Sequence, residues 1–292
     1  MTALATDHAA CAESLRAAGS SFALPIRLLP HAKRQGTTAL YAFCRRADDI
    51  VDDALDPAAA RRALDAFESA TAAALVGEPC GDPVLRALAD AVRRFAIPPQ
   101  AIRDILAGVR MDLDRSGYET VAELDGYCRR VASAVGVAAV HVWGFLDPRA
   151  LERSDDCGLA FQYTNILRDI PEDLGRGRIY IPAEDLSACG CSAEELRAGR
   201  MHAGFDRLAA RLVARAEARF DRAAPLDRML TTDGRLAFRA MFGVYRSLLA
   251  AVRRAGRTIF TQRVKPAKPR LLAAAAATVL LGPRRGRSPV TP

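Results

Sequence analysis

At 292 residues and 31.4 kDa, with half its residues hydrophobic and 26% charged, the chain has the make-up of a globular protein with a sizeable core, which excludes a disordered, collagen-like or disulfide-stapled one. Its 42 Lys and Arg against 34 Asp and Glu leave a net charge of +8, a balance that alone would suit nucleic acid or an anionic membrane. Residues 263–292 hold seven of those bases (Arg263, Lys265, Lys268, Arg270, Arg284, Arg285, Arg287) and no acid, so the other 262 residues carry only +1 and nucleic acid is not needed to explain the charge.

In chain order, a short helix is expected near 7–18; Asp7 and Glu13, with no basic-then-apolar order, argue against a secretory signal and for a cytoplasmic protein. Apolar residues then recur at helical period over about 37–54, 57–76, 82–96, 99–115, 120–145, 148–174, 203–223 and 233–256. Start signals agree with this: Asp56-Pro57, Thr120-x-x-Glu123, Asp147-Pro148 and Ser192-x-x-Glu195. Loops are expected at 77–82, 97–99 and 175–178, and no alternating β-branched run suggests a strand. The prediction is an all-α protein with one domain over 1–270, followed by a short apolar run and a basic tail over 271–292. The apolar run, 271–281, is shorter than the roughly 20 residues that span a bilayer. Flanked by bases, it reads either as a helix on an anionic membrane surface or as a last core helix with a basic end.

The seven cysteines are odd in number and irregularly spaced, as reduced thiols are. Cys189-x-Cys191 has only His202 nearby as a third soft ligand, so a loop with two thiols is the simpler reading than a zinc site.

Two segments carry the chemistry: YAFCRRADDIVDD (41–53) and FQYTNILRDIPEDLGRGRIYIP (161–182). In the first, Asp48 and Asp52, and Asp49 and Asp53, are four apart on a helix; in the second, Asp169 and Asp173 repeat the spacing beside Glu172. Like charges at this spacing repel, and more strongly where apolar neighbours lower the dielectric, so a cation is expected between them. Oxygen ligands without His or Cys select Mg²⁺ or Mn²⁺, completed by water and a phosphate. Arginines accompany each set (Arg45 and Arg46; Arg168, Arg176 and Arg178), and guanidinium with carboxylate-held metal makes a diphosphate site without a glycine-rich loop. No G-x-S-x-G or H-E-x-x-H is present to support nucleophilic or zinc chemistry. A metal-bound diphosphate leaving an allylic carbon inside a dry apolar cavity is the reaction such a site suits.

These segments, together with SSFALPIRLLP (20–30), YCRRVASAVG (127–136), VYRSLL (244–249) and RVKPAKPR (263–270), resemble the squalene/phytoene synthase family of head-to-head prenyl transferases. The resemblance implies an isoprenoid-synthase-type helical bundle around a central cavity, prenyl diphosphate substrates, and Mg²⁺ bound by Asp48, Asp49 and Asp52 and by Asn165, Asp169 and Asp173. It implies that Arg45, Arg168 and Arg178 hold diphosphate, with Ser20, Ser21 and Tyr245 as further polar contacts. Phe22, Tyr41, Val131, Val135 and Gly136 would line the prenyl channel, and Gln162 and Tyr127 would lie near the reacting carbons. Asp112 is a weaker addition, and Pro171 should kink the helix between Asp169 and Asp173. The implied reaction joins two prenyl diphosphates through a cyclopropylcarbinyl diphosphate. YCRRVASAVG and the segment around VYRSLL favour farnesyl diphosphate and a C30 presqualene or squalene-type product; the alternative is phytoene from two geranylgeranyl diphosphates. NADPH use is left open, no G-x-G-x-x-G being present. A terpene cyclase, a head-to-tail synthase and a non-catalytic protein binding anionic lipid through its tail are the competing classes.

Overall fold

The computed structural model describes residues 3–20, 22–52, 54, 56–265 and 267–283. Its elements are α1 (Ala3–Ala17), α2 (Ala23–Arg27), α3 (His31–Asp52), α4 (Pro57–Leu75), α5 (Pro83–Phe95), α6 (Pro99–Asp114), α7 (Val121–Cys128), α8 (Ala134–Trp143), α9 (Arg149–Gly175), α10 (Ala183–Ala188), α11 (Ala193–Arg197), α12 (Ala203–Ala223), α13 (Leu226–Met229), α14 (Thr232–Ala255) and α15 (Lys268–Leu281). A π turn covers Arg129–Ser133 and a 3₁₀ turn Gly256–Phe260. Among the described residues there is no strand, only the single bridges Gly117 to Ile179 and Phe145 to Leu230, in keeping with the all-α expectation. No described helix is long and apolar enough to cross a membrane.

The starts follow from local chemistry. Asp56 accepts from the N–H groups of Ala58 and Ala59 with Pro57 in the first turn of α4. Ser192 and Glu195 form the reciprocal capping box that opens α11, and Thr120 caps α7 through the Glu123 N–H. Each such cap stabilises its helix by about 1 kcal/mol. Two expectations change. Helix α3 begins at His31 rather than near 37. The single helix expected over 120–145 is α7, the π turn and α8. Pro171 lies inside α9, which runs to Gly175.

The chain divides into two compact units that alternate along the sequence. The first comprises residues 1–114, 130–151 and 229–238. There α3 packs against α1, α4, α5, α6 and α8. Its inner face carries Leu40, Phe43, Ala47 and Val51, spaced i, i+3, i+7, i+11, the period of one helix stripe. Gly36 admits the Phe95 ring, which a Cβ there would meet at 2.6 Å. Lys33 ties the last segment of the unit to the first: its ammonium donates to the Trp143 carbonyl (2.6 Å) and to Asp233 (2.9 Å).

The second unit comprises residues 115–129, 152–228 and 239–292. Its core includes Phe205, Phe220, Phe242 and Phe260. Buried carboxylates are all matched: Asp125 accepts from the Tyr163 hydroxyl (2.6 Å) and from Arg219, and Asp185 from Arg211 and Arg215. At α15 the backbone comes close to α14, for a Cβ on Gly243 would meet the Ala274 carbonyl oxygen at 2.6 Å. Arg239 fastens the end of α15 through the Val279 carbonyl (3.1 Å).

All seven cysteines are free thiols. Cys189 and Cys191 are buried, and the His202 Nδ1 lone pair is taken by the Gly204 N–H (3.0 Å) at the start of α12. The imidazole thus caps α12, and the described residues hold no group of three or more His, Cys, Asp or Glu placed to bind a metal.

Candidate active site

In the first unit, Tyr41, Arg45, Asp48 and Asp52 fall at i, i+4, i+7, i+11 on α3, one stripe turned away from the Leu40–Val51 core face. Asp49 flanks that stripe and takes a two-pronged ion pair from Arg45 (3.1 and 2.6 Å). Arg46 leaves the group, pairing with Asp82 at the start of α5. Asp48 reaches the surface, yet protein crowds around it. Burial first, then the carboxylates of Asp52 and Asp112, push its carboxyl up to about 7; Arg45 opposes the rise and Asp49 adds to it. Asp112, on α6, thus joins the cluster. Phe22 inclines towards Tyr41, their ring centres 6.2 Å apart. Ser20 spends its hydroxyl oxygen as acceptor for the Phe22 N–H (3.2 Å), shaping the turn into α2. Ser21 and Asp53 lie outside the described residues.

The π turn and α8 contribute Val131, Val135 and Gly136, all half-buried. Their position is set by α6: a Cβ on Gly108 would meet the Val131 Cγ1 at 2.6 Å and the Arg130 Cβ at 2.8 Å. A widened turn is how the chain follows that approach, and such turns are frequent at functional sites.

In the second unit, Gln162, Asn165, Asp169 and Asp173 make the corresponding stripe on α9, at i, i+3, i+7, i+11. Asp169 sits between two guanidinium groups. Arg168 grips both its oxygens, and Arg263, 94 residues on, reaches Oδ1 at 2.9 Å and Glu172 at 2.6 Å. Arg263 opens the RVKPAKPR segment but is not among the site residues that the resemblance implied. Tyr245 on α14 stacks flat on Phe161, ring centres 4.0 Å apart. Burial raises its hydroxyl pKa against the pull of Arg168 and a hydrogen bond with Asn165, so the phenol keeps its proton at neutral pH. Asn165 also donates to Gln162 (3.4 Å), while its Oδ1 is buried with no hydrogen-bond partner. Arg178 and Asp173 line a small cavity with Ile166, Ile170 and Tyr180. Tyr127 adjoins by stacking: its ring centre lies 5.2 Å from Tyr180 and its hydroxyl 3.5 Å from the Tyr180 hydroxyl.

Carboxylate and amide oxygens are the donor type that a hard divalent cation takes, although the described residues hold no group of three or more His, Cys, Asp or Glu placed to bind one. In the first unit Arg45 faces the carboxylates of Asp48, Asp49, Asp52 and Asp112, and burial first, then the neighbouring carboxylates, raises the Asp48 pKa against its pull. In the second, the Asn165 Oδ1 is a buried acceptor without a donor, a costly state that an incoming cation would relieve.

The helical array matches a solved dehydrosqualene synthase with a TM-score of 0.85 at 30% identity, over 94% of this chain and 95% of that one. It matches a squalene synthase from Alicyclobacillus acidocaldarius with a TM-score of 0.80 at 31% identity, over 87% and 95%. An all-helical fold of this kind, bearing these two acidic stripes, defines a prenyltransferase acting on prenyl diphosphates. A family model described as squalene/phytoene synthase matches residues 15–270, and the chain belongs to that family. Among curated relatives, the phytoene synthase of Mycobacterium bovis is 35% identical over 281 residues, covering 94% of this chain and 92% of its own. The phytoene synthase of Arthrospira platensis is 34% identical over 256 residues, covering 83% and 82%.

Proposed function

We propose that this head-to-head prenyltransferase condenses two molecules of geranylgeranyl diphosphate to phytoene. The observation that carries the substrate length is the similarity, at 34–35% identity, to curated bacterial phytoene synthases. It favours the C40 alternative over the C30 product that the 127–136 motif suggested. The solved dehydrosqualene and squalene synthases at 30–31% identity keep a C30 reaction as the second reading.

In this proposal Asp48, Asp49 and Asp52, with Asp112 beside them, and Asn165, Asp169 and Asp173 are the groups that would hold Mg²⁺. The ion, when bound, would offset charge on the departing diphosphate. Arg45, Arg168, Arg178 and Arg263 bind diphosphate oxygens. Arg168 and Arg263, already aligned on Asp169, need only exchange a carboxylate for a phosphate. Phe22, Tyr41, Val131 and Val135 keep water from the allylic cation. Tyr245, held protonated and flat on Phe161, is a hydrogen-bond donor and not a base. The cation alkylates the 2,3 double bond of the second molecule, the tertiary cation so formed loses a proton as the cyclopropane closes, the cyclopropylcarbinyl diphosphate then loses its own diphosphate, and rearrangement ends in loss of a second proton, a route that consumes no NADPH.

The test is incubation of the purified protein with Mg²⁺ and farnesyl or geranylgeranyl diphosphate, with and without NADPH, followed by mass spectrometry. Phytoene from the C20 substrate, independent of NADPH, is expected. A C30 product formed preferentially would overturn the chain length, and no head-to-head product from either would overturn the activity. Replacing Asp48 and Asp169 together by Asn should lower turnover at least about a hundredfold with helicity unchanged; retained turnover would remove the carboxylates from the mechanism.

A further inference from the structure

The open strip of α9 changes character along its length. Its carboxyl-terminal end is charged and wet: Glu172 and Arg176 are exposed, and Arg168, Asp169 and Asp173 are half-buried. One turn back comes Asn165, then Gln162 and Phe161, all still half-buried. Beyond Phe161 the strip closes, residues 156–160 being buried without a break. Phe161, Asn165 and Asp169 fall at i, i+4 and i+8 and share one face of the helix. The strip therefore starts at a carboxylate between two guanidinium groups and stops at a phenyl ring, with a rise of about 12 Å between them. That ring is firmly held. Tyr245 lies against it with the planes 6° apart, and Phe220 meets it at 5.9 Å. Phe220 is buried, backed edge-on by Phe242 (5.2 Å) and covered by the Arg246 guanidinium 5.4 Å from its centre. A ring packed among buried aromatics has no space to swing aside for a longer ligand.

The two ends of the strip say how a prenyl diphosphate lies on it. With the diphosphate taken by Arg168 and Arg263, the hydrocarbon has two ways to go. Towards Glu172 and Arg176 it would meet charge and water; towards Phe161 it leaves both behind and ends on an apolar ring. The number of isoprene units that fit is then fixed by where the strip stops. We propose that Phe161 is the wall that ends the prenyl channel along α9 and limits the chain length accepted, which makes it a specificity-determining residue. This rests on the proposed prenyl diphosphate substrate but not on which length the parent enzyme prefers.

The experiment is calorimetric titration of the full chain, with Mg²⁺ present, by non-reacting thiolodiphosphate analogues of C15, C20 and C25 prenyl chains. Phe161→Ala opens the space of a phenyl ring and should raise C25 binding relative to C20 at least about tenfold. Phe161→Trp narrows the same end and should lower C20 binding relative to C15 by a similar factor. Loss of support for Tyr245 alone would weaken every analogue alike and leave these ratios where they were, so the ratios separate a wall from a prop. Where the alanine variant unfolds, Phe161→Leu, which keeps an apolar side chain against Tyr245, should move the C25 to C20 ratio in the same direction by less. Ratios that stay fixed, or that move the same way in the smaller and larger variants, would overturn this proposal alone. A parent that binds none of the analogues would overturn the substrate reading and this proposal with it.

Discussion

Asp185 shows what a single buried charge contributes. Its carboxylate has no exposed surface, and burial alone would raise its pKa; hydrogen bonds and charge from Arg215 and Arg211 more than reverse this and hold it below the usual carboxylate range. A carboxyl depressed in the folded state adds stability that is complete above the unfolded value of about 3.9 and is lost as pH falls through the folded one. Removing one member of a buried pair typically costs about 3–5 kcal/mol. Asp185→Asn should therefore lower the urea midpoint clearly at pH 7, and the gap to the parent should shrink below about pH 4; a gap independent of pH would show that shape and not charge was lost. This network was not legible in the sequence, because Asp185 lies on α10 and both Arg211 and Arg215 on α12, with no local signal joining the two helices. Arg263 is a similar case, 94 residues from Asp169. The aspartate stripes were legible, since i, i+4, i+7 spacing is itself the geometry.

At the level of elements, helix existence and type followed from apolar period, and boundaries failed where tertiary contact intervened. The Gly36-Thr37-Thr38 stretch reads as a poor helix former. In the structure both threonine hydroxyls bond back to the carbonyls of Lys33 and Arg34, and the Trp143 indole N–H donates to Thr37, so α3 runs on to His31. The π turn was equally hidden, its cause being a glycine on another helix. Gly108→Ala would force a Cβ to within 2.6 Å of the Val131 Cγ1 and 3.0 Å of the Val131 amide nitrogen. The expected cost is about 1–3 kcal/mol, read as a lower denaturation midpoint, with a fall in kcat if Val131 lines the channel. Gly126→Ala is the control: it lies in α7 with nothing within 4 Å of its Cβ position. That change should leave kcat unaltered and stability equal or higher by up to about 1 kcal/mol.

For the whole molecule, the net charge of +8 describes a nearly neutral body joined to a basic end. The alternation of the two units along the chain matters as much. Neither is a contiguous segment, and α9 and α14 each run unbroken from one into the other. Calorimetry should therefore give one cooperative transition and not two, with van't Hoff and calorimetric enthalpies in agreement; two resolved peaks would show that the units melt separately despite the shared helices.

The ion pair between Lys33 and Asp233 joins residues 200 positions apart. On a ribosome adding about 5–20 residues per second, Lys33 emerges roughly 10–40 s before its partner exists. Throughout that interval the first unit lacks residues 229–238, and the apolar face of α3 is made long before the last piece that closes over its neighbours. The protein cannot finish its amino-terminal half before most of the rest has been synthesised, which makes the nascent chain, more than the finished molecule, the state most in need of protection from aggregation.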